Sequence, residues 1–176
     1  MQIRFSKYKK YGGYHFKWYN RNGAYKEHVD NVAEWIKGKD VLDIGAGEGL
    51  LVSLTGITGI DNEPYAIKAA KKRGVDIILG DAYKLPFVDR QFESAFMGDV
   101  LEHFEFPELA LKEASRVIKE YLYIVAPLPQ KIVESFHYNN WNQEELIELI
   151  ENNGFKLEGK AEVKFKKIYA KFKKII

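Results

Sequence analysis

The sequence predicts a single three-layer α/β domain, and three observations carry that prediction. Strand-like and helix-like stretches alternate from residue 41 onward. The first apolar run ends in a glycine-rich turn, Val41-Leu42-Asp43-Ile44-Gly45-Ala46-Gly47-Glu48-Gly49. Acids then follow the next three strand-like runs, at Asp61, Asp81 and Asp99. In an open α/β sheet a ligand sits beyond the C-terminal ends of the strands, so acids delivered to one edge by successive strands mark a binding edge.

Length and composition set the bounds. A chain of 176 residues fits one domain and is long enough to bury a core. With 46% apolar and 30% charged residues it falls among soluble globular proteins. Met1-Gln2-Ile3-Arg4 leads into no apolar signal region and no apolar run reaches membrane-spanning length, which predicts a cytoplasmic protein without a membrane partner. The absence of cysteine excludes disulfides, thiolate metal sites and cysteine nucleophiles. Few Gln and many Lys, Glu, Ile and Tyr suit a thermophile or a biased genome. The net charge is only +2, yet the last 21 residues hold eight lysines and the first 26 hold five lysines and two arginines. Such basic ends either attract an anionic acceptor such as nucleic acid or solvate an edge strand.

Taken in order, residues 1–22 form an aromatic and basic arm (Phe5, Tyr8, Tyr11, Tyr14, His15, Phe16, Trp18, Tyr19) that is too aromatic for a disordered tail. Tyr25, Val29, Val32, Ala33 and Ile36 share one helical face, and that helix ends before Gly38. Val41–Ile44 is the first strand. Residues 50–54 leave room for little more than one helical turn before Gly56 opens the second strand, which ends at Asp61. Asn62 is placed to cap a helix with Pro64 in its first turn and Gly74 as its stop. Residues 75–79, 92–97 and 121–126 read as the third, fourth and fifth strands, with a helix from Pro107 between the last two. Asn142 and Glu145 form a capping box for a helix with Leu146, Leu149 and Ile150 inward. Residues 155–165 and 168–175 alternate apolar residues with Lys, the period of strands near a sheet edge.

The glycine spacing narrows the ligand. A dinucleotide fingerprint requires Gly or Ala where Leu50 stands, which disfavours a nicotinamide-dependent oxidoreductase. Glu48 inside the turn is unfriendly to phosphate, so the pattern better suits a ligand carrying cationic groups and a ribose.

VLDIGAGEG, GIDNEPYAI, GDAYKLPF and FMGDVLEHF, in that order, resemble the four motifs of the class I S-adenosylmethionine-dependent methyltransferases of the small type 11 family, over roughly residues 24–155. The resemblance implies a three-layer Rossmann-like fold whose seven-stranded, mostly parallel sheet has an antiparallel last strand. It implies S-adenosylmethionine as cofactor and S-adenosylhomocysteine as product. Asp43, Gly45, Ala46, Gly47, Gly49 and Gly98 would form the cofactor's bed, with the glycine turn against its methionine part. Asp61 would hold the ribose hydroxyls. Asp81 and Ala82 would meet the adenine, flanked by Asn62 and by Leu85 or Ile60.

Asp99-Val100-Leu101-Glu102-His103 lies at the mouth of the fourth strand and supplies acid–base candidates, Asp99 and His103, with His137 from the loop after the fifth strand. Its D-x-x-E-H spacing resembles the E-x-x-E-H of metal-dependent quinone and small-RNA O-methyltransferases. A hard-cation site at Asp99, Glu102 and His103, with His137 as a further ligand, is therefore the alternative to the leading expectation of no metal. His15 with Trp18, and His137 with Tyr138 and Trp141, either stack on a planar acceptor or seal the open end of the sheet. The expected function is methyl transfer to an oxygen or nitrogen of an unidentified small molecule, glycan or RNA. The alternative is a cofactor-binding scaffold subunit without catalysis. The oligomeric state is not legible.

Overall fold

A strand buried on both faces reads as a near-continuous apolar run, and Val41-Leu42-Asp43-Ile44, interrupted only by Asp43, is such a strand, with all four residues buried. In the computed structural model, which describes residues 7–36, 40–129 and 137–175, the chain runs around that strand. Phe5 of the arm, Gly38 and part of the 127–142 loop lie outside the described residues. Helices α1 (Lys7–Tyr11), α2 (His15–Arg21) and α3 (Gly23–Ile36) precede β1 (Val41–Ile44). Then come α4 (Leu50–Thr55), β2 (Thr58–Asp61), α5 (Pro64–Lys71), β3 (Ile78–Leu79), β4 (Phe92–Gly98), a 3₁₀ turn over Leu101–His103, α6 (Pro107–Val117) and β5 (Ile118–Pro127). The chain closes with α7 (Gln143–Glu151), β6 (Phe155–Leu157), β7 (Glu162–Lys164) and β8 (Lys167–Lys174). No helix among the described residues is long and apolar enough to cross a membrane.

The sheet order is β3-β2-β1-β4-β5-β8-β6, with β7 paired to β8. The first five strands pair in parallel, and β8 runs antiparallel to β5, as the resemblance implied. The short β7 is an eighth strand beyond the seven expected. Strand alternation splits the core into two layers. Leu42, Ala95, Met97, Leu122 and Ile124 pack against Ala110, Leu111 and Ala114 of α6 and Leu146 and Ile150 of α7. Val41, Phe96, Tyr123 and Val125 pack against Val32 and Ile36 of α3 and Leu51 of α4.

Several boundaries differ from the sequence reading, each for a local reason. Glu63, not Asn62, caps α5, its side chain accepting from Tyr65 N at 3.0 Å. Strand β3 keeps only two of its five expected residues, because the amide of Val75 bonds Ala70 O to close the α5 end. The side chains of Val75 and Ile77 press on Gly49. The stretch 155–165 divides into β6 and β7 because Gly159 turns left-handed at φ 76° between them. The β7–β8 turn places Phe165 (φ 53°) and Lys166 (φ 60°) in the left-handed region, a two-residue hairpin without the usual glycine. Packing holds it: the Phe165 ring lies 5.9 Å from that of His28, and Lys166 O accepts from Leu128 N at 3.0 Å.

Gly49 is set at φ 76°, and a Cβ there would lie 2.6 Å from Val75 Cγ1 and 2.9 Å from Ile77 Cδ1. Its glycine is thus required by packing between the first turn and residues 75–77. Gly49→Ala should lower stability by at least about 1–2 kcal/mol from the backbone conformation alone. Urea unfolding measures this, and a variant as stable as wild type would show that this junction yields freely.

Candidate active site

The site begins with main-chain bonds from the turn after β1 to the end of β2. Gly45 N and Ala46 N donate to Ile60 O at 2.9 and 3.0 Å. Gly47 N donates to Asp61 Oδ2 at 2.7 Å, and Glu63 N donates to Asp61 Oδ1 at 2.8 Å. Two amides therefore fix the Asp61 carboxylate at the sheet edge. Gly47 lies at φ 57°, where a Cβ would come within 2.3 Å of the Tyr8 hydroxyl.

A cleft of about 630 Å³ opens over this edge. Of the sequence-predicted residues, Asp43, Gly45, Ala46, Gly47, Asp61, Asn62, Ala82 and Gly98 line it, and so do Asp99, His103 and His137. Gly49 and Asp81 do not. Gly49 faces Val75 and Ile77 instead. Asp81 is turned into its own loop, where Oδ1 accepts from Tyr83 N at 2.9 Å and the residue bridges to Lys84. Ile60 lines the cleft and Leu85 does not.

Burial governs the charge here. It pushes the Asp43 carboxyl up to about 8, with the neighbouring charge of Asp61 adding to the shift. Burial also raises Asp61, against the amides of Glu63 and Gly47 that favour its ionised form. A buried carboxyl group beside a half-buried one suits a ligand that brings positive charge. That is the fit expected of the cationic, ribose-bearing cofactor, and the glycines beside them let Val100 pack on Gly45 and Tyr8 on Gly47.

The other half of the cleft is built from β4, β5 and the β7–β8 hairpin. Asp99 sits just past β4 at φ 50°, outside the comfortable region for a non-glycine residue. Its Oδ2 pairs with Lys167 Nζ at 2.5 Å, while the buried Oδ1 has no hydrogen-bond partner among the described residues. His28 is buried with Nδ1 on the Tyr169 hydroxyl, and burial followed by Lys167 lowers it to about 4, so this imidazole is neutral at pH 7. Burial, then the charge of Asp99, raises the Tyr25 phenol. Glu102, His103 and His137 gather beside this pair, their ligating atoms all within 4.8 Å of one another. Asp99 is turned toward Lys167 and is not part of that cluster, which departs from the Asp99-Glu102-His103 set read in the sequence.

The arm closes the remaining side. The Tyr8 hydroxyl meets His15 Nδ1 at 3.0 Å and accepts from Glu48 N at 3.2 Å. The fully buried carboxylate of Glu48 accepts from His15 N and pairs with Arg73 Nε at 3.3 Å. Arg73 in turn lies over the Phe16 ring at 4.6 Å. Glu48 therefore clamps the arm rather than facing the ligand. Tyr14, Trp18 and Tyr25 form an aromatic wall, with Trp18 4.8 Å from Tyr14 and 5.7 Å from Tyr25. Lys167 and His28 escape sequence reading, since Lys167 is one of eight C-terminal lysines and His28 lies on an apolar helix face. Tyr8 and Tyr14 were visible only as arm aromatics.

Residues 42–125 match a family described as "Methyltransferase domain". The chain is 29% identical over 175 residues to an uncharacterized protein of Methanocaldococcus jannaschii, covering 90% of this chain and 85% of that one. It is 26% identical to a chloroplastic 2-methyl-6-phytyl-1,4-hydroquinone methyltransferase of Oryza sativa, covering 97% of this chain and 59% of the longer relative. Among solved structures, a SAM-dependent methyltransferase of Thermotoga maritima superposes with a TM-score of 0.79 at 22% identity, covering 95% of this chain and 98% of that one.

The Asp43 shift has a sign that can be measured. The unfolded chain releases this proton near pH 4, the folded protein near pH 8, so between them the folded state holds the extra proton. Its contribution to stability therefore falls as pH rises from about 4 to about 8 and is level beyond. The stability difference between wild type and Asp43→Asn, from denaturant unfolding at several pH values, should turn against wild type across that window by up to about 1.4 kcal/mol per pH unit. A pH-independent difference would refute the shift.

Proposed function

The chain belongs to the class I S-adenosylmethionine-dependent methyltransferases of the type 11 family, and on that premise we propose that its cleft transfers a methyl group from S-adenosylmethionine to an oxygen or nitrogen of a small molecule. One observation carries the reading: the Gly45–Gly47 turn with Asp61, and Asp99 with His103 and His137, line the two halves of a single cleft.

The cofactor, when bound, supplies an electrophilic methyl group on its sulfonium. Asp61 accepts from the ribose hydroxyls, in charge-assisted bonds of the stronger kind. Asp43 and the turn from Gly45 to Gly47 face the charged methionine end, and Asn62 and Ala82 border the base. Asp99, paired with Lys167 at the cleft wall, supplies a fixed polar boundary on the acceptor side, and His103 and His137 orient the nucleophile. Tyr8, His15 and Trp18 of the arm exclude water from the edge.

A small acceptor is favoured over nucleic acid because the C-terminal lysines are largely occupied. Lys156 pairs with Glu151, Lys164 with Glu162, Lys167 with Asp99 and Lys171 with Glu158. Lys174 donates to Ser115 O and Ile118 O. An array paired in this way presents little free positive charge to a phosphate backbone.

Labelled cofactor with fractionated small-molecule extract should yield S-adenosylhomocysteine and a labelled small product. Label in RNA would overturn the acceptor class, and cofactor binding with no turnover on any fraction would instead support a non-catalytic scaffold. Asp61→Ala should weaken cofactor binding about ten- to hundredfold by calorimetry; an unchanged affinity would remove Asp61 from the site. Because a cationic ligand favours the ionised Asp43, binding at pH 7 should also release a proton, seen as a buffer-dependent heat.

A further inference from the structure

We propose that Glu102, His103 and His137 form a site for a divalent transition ion such as Zn²⁺ in the acceptor half of the cleft. The three offer one carboxylate and two imidazoles, with ligating atoms all within 4.8 Å of one another. His103 Nε2 lies 3.9 Å from Glu102 Oε1, and the two imidazole rings are 4.7 Å apart at 68°. Tetrahedral ligands around Zn²⁺, each about 2.0–2.2 Å from the metal, sit about 3.4 Å from one another, so side-chain rotation alone closes the set.

The backbone that carries the ligands is fixed. Glu102 and His103 occupy the 3₁₀ turn, which is closed by His103 N to Val100 O at 3.0 Å and Phe104 N to Leu101 O at 3.1 Å. The strand of chain bearing His137 is tied to that same turn. Tyr138 N and Asn139 N donate to Glu102 O at 2.8 and 3.2 Å, and Asn139 Nδ2 donates to Phe104 O at 2.6 Å. Ligands far apart in sequence are thereby held by direct bonds between their own segments, the preorganisation a metal site requires. Glu102 is 3% exposed, and a buried carboxylate grouped with two imidazoles suits a cation between them.

The donor set also selects the ion. Mg²⁺ and Ca²⁺ take oxygen ligands, whereas two imidazoles with one carboxylate suit Zn²⁺ and its neighbours. Asp99 would have tilted the set toward a hard cation, but its carboxylate is committed to Lys167. All three ligands line the cleft, so a fourth position faces the space where an acceptor would lie. Two of the ligands, His103 and His137, are the imidazoles placed beside the nucleophile above, so a bound ion would orient it in their stead; that role rests on the proposed function, whereas binding of the ion does not.

The test is metal binding to the full chain after chelator treatment. Titration with Co²⁺ should give one equivalent per chain with the visible absorption of a low-coordinate cobalt, displaced by Zn²⁺ and not by Mg²⁺. Glu102→Gln, His103→Ala and His137→Ala should each weaken binding by about tenfold or more, while Asp99→Asn should leave it unchanged. Circular dichroism and cofactor affinity on the same variants separate lost ligands from lost folding, and absorption spectroscopy of the zinc form should report two imidazoles. Absence of stoichiometric cobalt binding, preference for Mg²⁺, an unaffected His137→Ala, or loss on Asp99→Asn would each overturn the assignment. Failure of the methyl-transfer experiment leaves this result standing, and the reverse holds as well.

Discussion

The hydrogen bond from Gly47 N to the Asp61 carboxylate is the constraint on which the rest of the site depends. It joins the turn after β1 to the last residue of β2, next to the paired bonds from Gly45 and Ala46 to Ile60 O. Parallel strands already set the two ends side by side, with Ile44 opposite Ile60. The bond then fixes a carboxylate at the rim and aims the turn's backbone across the sheet edge. A non-glycine residue at position 47 would meet the Tyr8 hydroxyl, so turn and arm are fitted to one another through the same glycine.

Holding that edge together carries an electrostatic cost. Asp43 is buried and Asp61 partly so, and desolvation drives both toward their neutral forms. Such an arrangement is poorly suited to the protein alone and well suited to a ligand bearing positive charge, which is the usual way strain at a binding edge relates to function. The opposite half is balanced differently: Lys167 compensates Asp99, and His28 stays neutral beside that lysine. The two halves of the cleft therefore differ in charge balance, with carboxyl groups uncompensated on one side and a lysine–carboxylate pair on the other.

The arm shows how a segment without clear periodicity still finds a fixed place. The carboxylate of Glu48, buried under residues 13–15, binds the His15 amide and Arg73, and Arg73 stacks on Phe16. Glycine at position 13 is required there, since a Cβ would overlap that carboxylate. The acid that looked hostile to phosphate when read in the sequence is thus a structural clamp directed at the arm.

Local chemistry wrote much of this protein into its sequence. The apolar run and glycines at 41–49, the acid ending β2, the parallel strands through 126 and the capping box at Asn142 and Glu145 all depend on neighbours in the chain, and all were legible there. Contacts between distant segments were not. The contacts of Gly49 with Val75 and Ile77, and the bond from Tyr83 N to Asp81, are not visible in the motif positions that those two residues occupy. Lys167 reaches Asp99 only because a glycine-free hairpin, held by Phe165 against His28, carries it across the sheet. His137 joins Glu102 and His103 only because Tyr138 and Asn139 bond to the Glu102 carbonyl. By itself the sequence determined which edge of the sheet carries the glycine turn and the acids, since strand direction and turn geometry are local properties. Which side chains meet across the cleft was decided by tertiary structure, because those encounters are set by the packing of segments that do not adjoin in the chain.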